Sequence, residues 1–310
     1  MRLTSILLAC LLCPSFVEAA PGTRVGESVV FVGPAASARP DGEQAVALSR
    51  SQVRSRMLAI YGPAALGLAL YANKNWWNEG FTGKFRTIDE GWFGQNTADG
   101  GADKLGHAMA NYAATRLLAR GFEWAGNDER TSLKYSAWGV LGTFTLVEVL
   151  DGYTTRWRFS KEDAIMNAIG VGLAVLMEKQ PALDRLIDLR LHYRKSSDPS
   201  TGFDPFGDYS GQTYLAVAKA TGVPALREHP VWRYFEVAVG YGTRGYHVGP
   251  EFPGDRSRNI YYGISLNLSE LLSRTAFRSS ERKNTTQRFV DLALAFIQVP
   301  GTAVAAKHRM

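Results

Sequence analysis

Three uncharged, largely apolar stretches most strongly constrain how this chain of 310 residues can fold. They cover residues 57–72, 135–147 and 164–177, which are 16, 13 and 14 residues long. A helix needs roughly 18–20 apolar residues to cross a bilayer comfortably, so all three are short for that purpose. Residues 104–120 add an amphipathic helix. Buried helices of a soluble bundle and short or interfacial membrane helices both fit this pattern.

The pattern changes after residue 181. Residues 183–193 favour one more helix, and residues 196–211 favour a loop because they are rich in Gly, Pro, Asp and Ser. Apolar residues then alternate along two segments: Phe235, Val237, Val239 and Tyr241, and Ile260, Tyr262, Ile264, Leu266 and Leu268. This period of two predicts an antiparallel strand pair, to which residues 212–218 could add a third strand. Helical spacing returns over residues 289–297.

These patterns predict a mainly helical α+β fold. A bundle of about four to five helices is followed by an antiparallel β-hairpin or small sheet and a C-terminal helix. The expected segments are a signal peptide (1–20), a flexible lead-in (21–50), a helical module (51–195), a loop with a candidate strand (196–226), and the hairpin with the C-terminal helix (227–310). A composition of 45% hydrophobic and 21% charged residues suffices for a sizeable core.

The first twenty residues indicate export. Arg2, an apolar run and small residues near Ala19 and Ala20 are typical of a cleavable secretory signal. Cys10 and Cys13 both lie inside it, so the mature chain would contain no thiol. Residues 7–10 also resemble a bacterial lipobox, which leaves lipidation at Cys10 open, although only nine residues precede it.

The net charge of +6 is unevenly distributed. Residues 227–310 contain 12 Lys/Arg against 7 Asp/Glu. Several of these cations lie together near the C-terminus: Arg274, Arg278, Arg282, Lys283 and Arg288. They form either a solvated helical face or a surface for an anionic membrane or an envelope partner. Basic charge alone does not indicate nucleic acid, and we expect none as a partner.

The glycines Gly240, Gly242 and Gly245 reproduce the spacing of a dinucleotide-binding loop. That loop requires a helix after the turn, whereas here a second strand is expected. We therefore interpret the glycines as part of a strand end and expect no nucleotide cofactor. The chain also lacks a Gly-x-Ser-x-Gly elbow, a Walker A loop and a His-Glu-x-x-His motif.

Polar residues recur at helical spacing between residues 99 and 170. The pairs are Asp103 and His107, Glu148 and Asp151, and Asp163 and Asn167. Members three or four residues apart share a helix face. If the three faces converge, one histidine, carboxylates and an amide would meet inside the bundle. Such a set can form a metal site, with a divalent ion as the candidate cofactor, or an acid–base pair.

Structural roles compete with this interpretation. Ser160 and Asp163 have the spacing of a capping box, and Asp103 could cap the helix that follows two glycines. His107 could equally be a core histidine held by a carboxylate. Glu148 follows thirteen uncharged residues, and because an unpaired buried carboxylate is costly, we predict a partner for it. The candidate partners are His107, Arg156 and Arg158.

Several ordered motifs carry a family resemblance. They are Asp103-Lys104-Leu-Gly-His107, Glu148-Val-Leu-Asp151-Gly152, and Phe159-Ser160-Lys-Glu-Asp163 with Asn167 and Gly170, followed by segments 208–214, 240–242 and 262–269. Over roughly residues 51–300 the chain resembles the YfiM-like family of predicted bacterial periplasmic or outer-membrane lipoproteins, whose function is unknown. It more distantly resembles the VanZ-like membrane proteins, some of which are associated with glycopeptide resistance. The resemblance implies an exported protein, periplasmic or membrane-associated in a bacterial envelope, and transfers no reaction.

Two functions fit, and whether the protein is an enzyme stays open. The first is a non-catalytic envelope protein whose buried His/carboxylate cluster locks a helical bundle, with the hairpin contacting a membrane or a partner. The second is a metal-dependent or acid–base hydrolase or transferase acting on a lipid-linked or cell-wall substrate. The second assigns acid–base or ligand roles to His107, Glu148, Asp151 and Asp163, and phosphate binding to Arg156 and Arg158.

Overall fold

The computed structural model describes residues 48–196, 204–246, 255–278 and 285–310. Within these ranges a helical N-terminal bundle precedes a five-stranded antiparallel sheet with short helices between its strands. The predicted α+β, mainly helical class is thereby confirmed. The predicted signal peptide, both cysteines and most of the lead-in lie outside the described residues, as do Arg282 and Lys283.

The helices are α1 (Arg50–Asn75), α2 (Ala102–Ala125), α3 (Glu129–Asp151), α4 (Lys161–Lys179), α5 (Pro181–Leu186), α6 (Pro224–Arg227), α7 (Leu268–Arg274) and α8 (Thr285–Phe296). The strands are β1 (Thr87–Ile88), β2 (Phe159–Ser160), β3 (Ile187–Tyr193), β4 (Gln212–Lys219), β5 (Phe235–Arg244), β6 (Ser257–Leu266) and β7 (Ala303–Arg309). Short 3-10 helices cover Ala98–Gly101, Tyr209–Gly211, Ala220–Gly222 and Trp232–Tyr234.

The chain forms two compact units. The first unit contains the described residues up to Ile88, together with Ala114–Phe159. Its longest helix, α1, begins with a capping box in which Ser49 accepts the Gln52 N–H at 3.3 Å and the Gln52 side chain accepts the Ser49 N–H at 2.8 Å. Ala72, Trp77 and Val147 form its core. Among all the described helices, none has the length and apolar composition required to cross a bilayer.

The second unit contains Asp89–Ala113 and Ser160–Met310. Its core lies where helices α2, α4 and α8 meet, and includes Tyr112, Ala174, Met177 and Phe296. The Tyr112 and Phe296 rings meet edge to face with their centroids 5.8 Å apart. The sheet has the strand order β3-β4-β5-β6-β7, and each neighbouring pair is antiparallel.

The helix expected over residues 183–193 is wrong beyond Leu186. Helix α5 ends there, and Ile187–Tyr193 is strand β3, paired antiparallel with β4. Ile187, Leu189 and Leu191 alternate with polar residues, so this segment also has the period of a strand. The candidate strand over 212–218 is present as β4. Strand β7 extends the sheet beyond the predicted hairpin.

The two faces of the sheet differ in an unexpected way. On one face Val237, Ile264 and Val304 are 58%, 56% and 83% exposed. On the other face Arg190 and Glu236 are buried, at 6% and 1%. Ile187 and Leu189 of the apolar face pack against the helical core, so this face is covered along β3 and exposed along β5, β6 and β7. The alternation correctly predicted the strands, but it did not reveal this difference or the buried charges on the opposite face. Gly240 and Gly242, which mimic a dinucleotide-binding loop, lie within strand β5.

Candidate functional site

A tight turn in the second unit leads into helix α2. Asp99 has φ 45°, and Gly100 and Gly101 follow with φ 61° and 86°, all in the left-handed region. Glycine avoids the penalty that a Cβ would incur there. A Cβ at Gly100 would also lie 2.6 Å from the Tyr246 ring. The turn thereby places Asp103 and Lys104 in the first helical turn with their side chains inside the protein.

Lys104 is the centre of a buried group of charges that we call the acid–lysine cluster: Glu90, Asp103, Lys104 and Asp163. The Lys104 side chain is 0% exposed. Its Nζ donates to Asp103 Oδ2 and Asp163 Oδ1, each at 2.8 Å, and also to Glu90 Oε2. Three carboxyl groups therefore surround one ammonium group. The contacts join helix α2 to helix α4 and to the loop that contains Glu90.

A polar chain extends the cluster along the same two helices. His107 Nε2 lies 3.8 Å from Asp163 Oδ1, and His107 Nδ1 lies 3.1 Å from Asn167 Oδ1. Asn111 donates through Nδ2 to that same Asn167 oxygen at 2.6 Å and to the His107 carbonyl at 2.9 Å. Asn111 and Asn167 are fully buried, whereas the His107 side chain is 25% exposed.

Small residues allow helices α2 and α4 to approach each other at this point. A Cβ at Gly170 would collide with the Ala108 carbonyl. Gly106 packs against two tyrosines of the sheet region, with the Tyr209 ring and the Tyr214 hydroxyl each 2.9 Å from where its Cβ would lie. Burial raises the pKa of both tyrosines well above its usual value, so they cover the helix as neutral phenols.

The carboxyl groups of the cluster differ in their affinity for protons. Burial raises the pKa of Asp103 to about 7, with Lys104 acting in the opposite direction. Burial also raises the pKa of Glu90, and the negative charge of Asp163 adds to this effect. Burial opposes ionisation of Asp163 as well, but the positive charges of His107 and Lys104 outweigh it and lower the pKa. Asp163 is thus the carboxylate most readily ionised.

The predicted caps differ in outcome. Ser160 caps helix α4, because its Oγ accepts the Asp163 N–H at 3.3 Å. The Asp163 side chain is directed to Lys104 instead of completing a capping box. The proposed capping role of Asp103 is wrong: it lies inside the first turn of α2 and binds Lys104. An acidic residue in that first turn still interacts favourably with the helix dipole.

The remaining predicted site residues, Glu148, Asp151, Arg156 and Arg158, belong to the first unit. Glu148 is 2% exposed there. Asp151 Oδ1 accepts the Trp77 indole N–H at 2.5 Å. Arg156 is an exposed side chain that lies 3.9 Å from Glu79 and stacks on Trp157, so it is not the partner predicted for Glu148. Arg158 is exposed.

Three members of the site were missed from the sequence. Lys104 stands next to Asp103, but a lysine on an amphipathic helix is normally expected in solvent. Glu90 lies in a loop, where no periodic pattern marks it. Asn111 follows His107 by four residues, so its place on the Asp103–His107 face could have been read from the spacing.

Residues 89–179 match a family described as "Predicted periplasmic lipoprotein (DUF2279)". All members of the acid–lysine cluster, together with His107, Asn111 and Asn167, lie inside the matched segment. The chain is therefore similar to that family over this segment, which is part of the predicted region of resemblance. No curated protein and no solved structure matches the chain. The family description agrees with the predicted location: exported, and periplasmic or membrane-associated in a bacterial envelope.

Proposed function

We propose that this chain is a non-catalytic protein of the bacterial cell envelope, in which the acid–lysine cluster locks helices α2 and α4 in one register. The observation that supports this proposal is the fully buried ammonium of Lys104 with three carboxyl groups around it. A buried charge is costly unless it is paired, so any arrangement that separates Lys104 from these partners is strongly disfavoured.

The same requirement makes the lock specific. Lys104 and Asp163 are on different helices, and their contact at 2.8 Å fixes the helices along their axes. Sliding one helix by a single turn would move it about 5.4 Å and leave the ammonium without Asp163. The bond between Asn111 and Asn167, buried amides on the same two helices, would be lost by the same movement. Buried polar groups can select one packing arrangement in this way.

A divalent metal competes with this interpretation, since oxygens of Glu90, Asp103 and Asp163 lie within 4.8 Å of one another. Carboxylate oxygens at such spacing are ordinary ligands for a divalent ion. In this cluster, however, the Lys104 ammonium contacts an oxygen of each of the three carboxyl groups. The chain itself thus places one positive charge among the three carboxyl groups, where a divalent ion would otherwise bind.

Elemental analysis together with thermal unfolding tests the lock. We expect the purified protein to contain no stoichiometric divalent metal, and Asp163→Asn to unfold at a lower temperature than the wild type. Glu228→Gln, at a carboxylate outside the cluster that is 83% exposed, is the control and should unfold like the wild type. One equivalent of metal, lost in both Asp163→Asn and His107→Ala while the fold persists, would overturn the lock.

One observation favours acid–base catalysis as a second candidate function. The His107 side chain is one-quarter exposed, and its Nε2 lies 3.8 Å from the most readily ionised carboxylate of the cluster, Asp163. A histidine held by a carboxylate at a water-accessible edge can transfer protons near neutral pH. Hydrolysis of a lipid-linked or cell-wall substrate by the wild type, abolished in folded His107→Gln, would support this function. Equal turnover by the two proteins would exclude it.

The exposed apolar face of the sheet supports contact with the envelope membrane. Val237, Val239, Tyr262, Ile264 and Val304 are between 47% and 83% exposed on this face. Neighbouring exposed apolar side chains of this kind mark interaction surfaces. We expect the protein to sediment with phospholipid vesicles, and the double variant Val237→Ser/Ile264→Ser to remain in solution. Release by high salt alone would indicate instead that basic residues such as Arg288 hold the protein at the membrane.

A further inference from the structure

A cleft of about 570 Å³ opens on the face of the five-stranded sheet that also carries Arg190 and Glu236. This volume is typical of small-molecule sites, which span about 300–1,000 Å³. The cleft belongs entirely to the second unit and is separate from the acid–lysine cluster. All of its lining residues named below belong to the described part of the chain.

Small side chains create the space in this cleft. Ala238, Gly263 and Ala305 are register partners on β5, β6 and β7, and they form its floor. Leu215 on β4 and Val299 after α8 add apolar surface. Larger side chains at these central positions would fill the cavity. The floor therefore offers apolar contact without polar groups that a ligand would have to satisfy.

One end of the cleft is cationic. His192, Arg194, Lys195 and Arg244 line it at the end of β3 and the end of β5. Arg244 donates to Thr213 Oγ1 at 2.9 Å and stacks on the Tyr261 ring 5.7 Å away, which holds its guanidinium at the cleft. Within the described residues, no carboxylate lies within ion-pair distance of Arg194, Lys195 or Arg244. Among the residues that the structure describes, positive charge therefore accumulates at this end of the cleft.

Uncharged polar side chains line the opposite end of the cleft. Ser265 and Gln298 line it. Ser265 donates to Glu236 at 3.1 Å, and Gln298 accepts from Arg190 at 3.2 Å, so both are engaged by the buried charges beneath the sheet face. Arg244 pairs with Ser257 on β6, eight residues before Ser265, which corresponds to about 26 Å along the strand at about 3.3 Å per residue.

From these features we infer that the cleft binds a single-chain anionic amphiphile. Its acidic head lies at Arg194, Lys195 and Arg244, and its acyl chain passes over the floor formed by Ala238, Gly263 and Ala305 towards Ser265. A cationic mouth attracts and orients the head, and the apolar floor provides the hydrophobic contribution to binding. The length of the cleft suits an extended chain better than a compact polar ligand. A fatty acid and a lysophospholipid share this chemistry.

Calorimetric titration of the full chain with palmitate tests the inference. We expect saturable binding of one palmitate, weakened by added salt because the mouth is exposed to solvent. Lysophosphatidylglycerol, titrated in parallel below its micelle concentration, distinguishes the two sources: tighter binding than palmitate would assign the site to a lipid headgroup and support the same inference. Hexadecanol or inorganic phosphate binding as tightly as palmitate would overturn it, and so would absence of binding by both anionic amphiphiles.

Two variants locate the ligand, each with a matched control. Arg194→Gln/Lys195→Gln removes two charges at the mouth and should weaken palmitate binding about 2- to 30-fold, since exposed pairs contribute about 0.2–1 kcal/mol each. Lys179→Gln/Arg288→Gln removes the same charge from exposed sites outside the cleft and should bind normally. Ala238→Leu fills the floor and should abolish binding, whereas Val237→Leu on the opposite face should not. Wild-type affinity in both cleft variants would overturn the assignment.

Discussion

In the part of the second unit that the structure describes, two buried groups of charges differ in their ratio of cations to carboxyl groups. In the sheet, Arg190 binds both oxygens of Glu236, at 2.7 and 2.9 Å, and one oxygen of Asp188 at 2.5 Å. Lys219 also binds Asp188, so two cations face two carboxylates. In the acid–lysine cluster, one ammonium faces three carboxyl groups. The balanced charges of the sheet can act as a purely structural connection. In the helical cluster, the excess of carboxyl groups should make the free energy of unfolding depend on pH.

The proton sensitivity follows from the pKa of Asp103. Burial raises this pKa from the ordinary 3.8 to about 7 in the folded protein. Between these pH values the folded chain binds a proton that the unfolded chain has released, so the free energy of unfolding decreases as the pH rises. Asp163, whose pKa is lowered, acts with the opposite sign: its stabilisation is present above pH 3.8 and is lost as the pH falls.

Removal of the central cation should produce the largest effect. Lys104→Met keeps most of the side-chain volume but leaves three carboxyl groups in contact without the ammonium. We expect a loss of about 3–5 kcal/mol in the free energy of unfolding at pH 8. The loss should be smaller at pH 5, because the carboxyl groups then take up protons. Urea unfolding at both pH values measures the difference.

The exposed Lys161 provides the control for that variant. Its side chain is 61% exposed at the start of α4, where it pairs with Asp89 at 3.1 Å. Lys161→Met should unfold like the wild type at either pH, because an exposed ion pair contributes little to stability. A loss in Lys104→Met that is the same at pH 5 and pH 8 would contradict the contrast between an unbalanced and a balanced cluster.

The balanced network of the sheet should respond without this pH dependence. Glu236→Gln removes the charge that Arg190 binds in bidentate geometry, and we expect a loss of about 2–3 kcal/mol. Between pH 5 and 8 the loss should stay constant, since Arg190 remains charged throughout. Glu228→Gln, at a side chain that is 83% exposed, is the control. If the loss of unfolding free energy in Glu236→Gln changed with pH as strongly as that in Lys104→Met, the sheet network would be as sensitive to pH as the acid–lysine cluster.

Replacement of Asp103 should stabilise the protein at high pH, whereas the replacements above destabilise it. Asp103→Asn resembles the protonated carboxyl group, so it removes the cost of burying the charge above pH 7. A change of three pKa units corresponds to about 4 kcal/mol at most. The raised pKa already includes the attraction of Lys104 for the charged carboxylate. After the site relaxes around the charge, we expect a net stabilisation of about 1–2 kcal/mol at pH 8 and none at pH 5. Thermal unfolding across this range measures it.

Asp89 offers the matched comparison for that experiment. Its carboxylate is exposed, and the hydrogen bond with Lys161 lowers its pKa. Its stabilisation is therefore present at neutral pH and lost as the pH falls, so Asp89→Asn should not stabilise the protein at pH 8. If Asp103→Asn destabilised the protein at pH 8 as well, the carboxyl group of Asp103 would be paired too strongly with Lys104 for burial to dominate.

Local patterns in the sequence revealed more of the fold than of the site. Spacing placed Asp103 with His107 and Asp163 with Asn167, and in the structure these residues meet along α2 and α4. The spacing of residues within one helix does not show that a loop residue such as Glu90 lies nearby. It also does not show which residues of another helix contact a given helix face. For this reason Lys104, expected in water, could not be recognised as the centre of the cluster.

The sheet illustrates the same limit. Alternation of apolar residues predicted β5 and β6, but burial depends on what covers each face. The polar face carries Arg190, Asp188 and Glu236, whose mutual pairing makes their burial tolerable. These residues belong to strands β3 and β5, and their pairing requires β4 to lie between them. Only the topology brings them together.

The smallest effect should come from His107. His107→Gln removes a positive charge from beside Asp163 but leaves a side chain that can still bond with Asn167. We expect a loss of about 1 kcal/mol or less, because the histidine is partly exposed. The loss should be larger at pH 5.5 than at pH 8, because acid favours the protonated histidine and the positive charge of His107 lowers the pKa of Asp163. Urea unfolding of His107→Gln and the wild type at pH 5.5 and pH 8 measures whether the loss is larger at the lower pH. A loss above 3 kcal/mol would place His107 among the residues that form the lock, and the acid–base interpretation, which needs a histidine that can change its charge without unfolding the protein, would then lose its support.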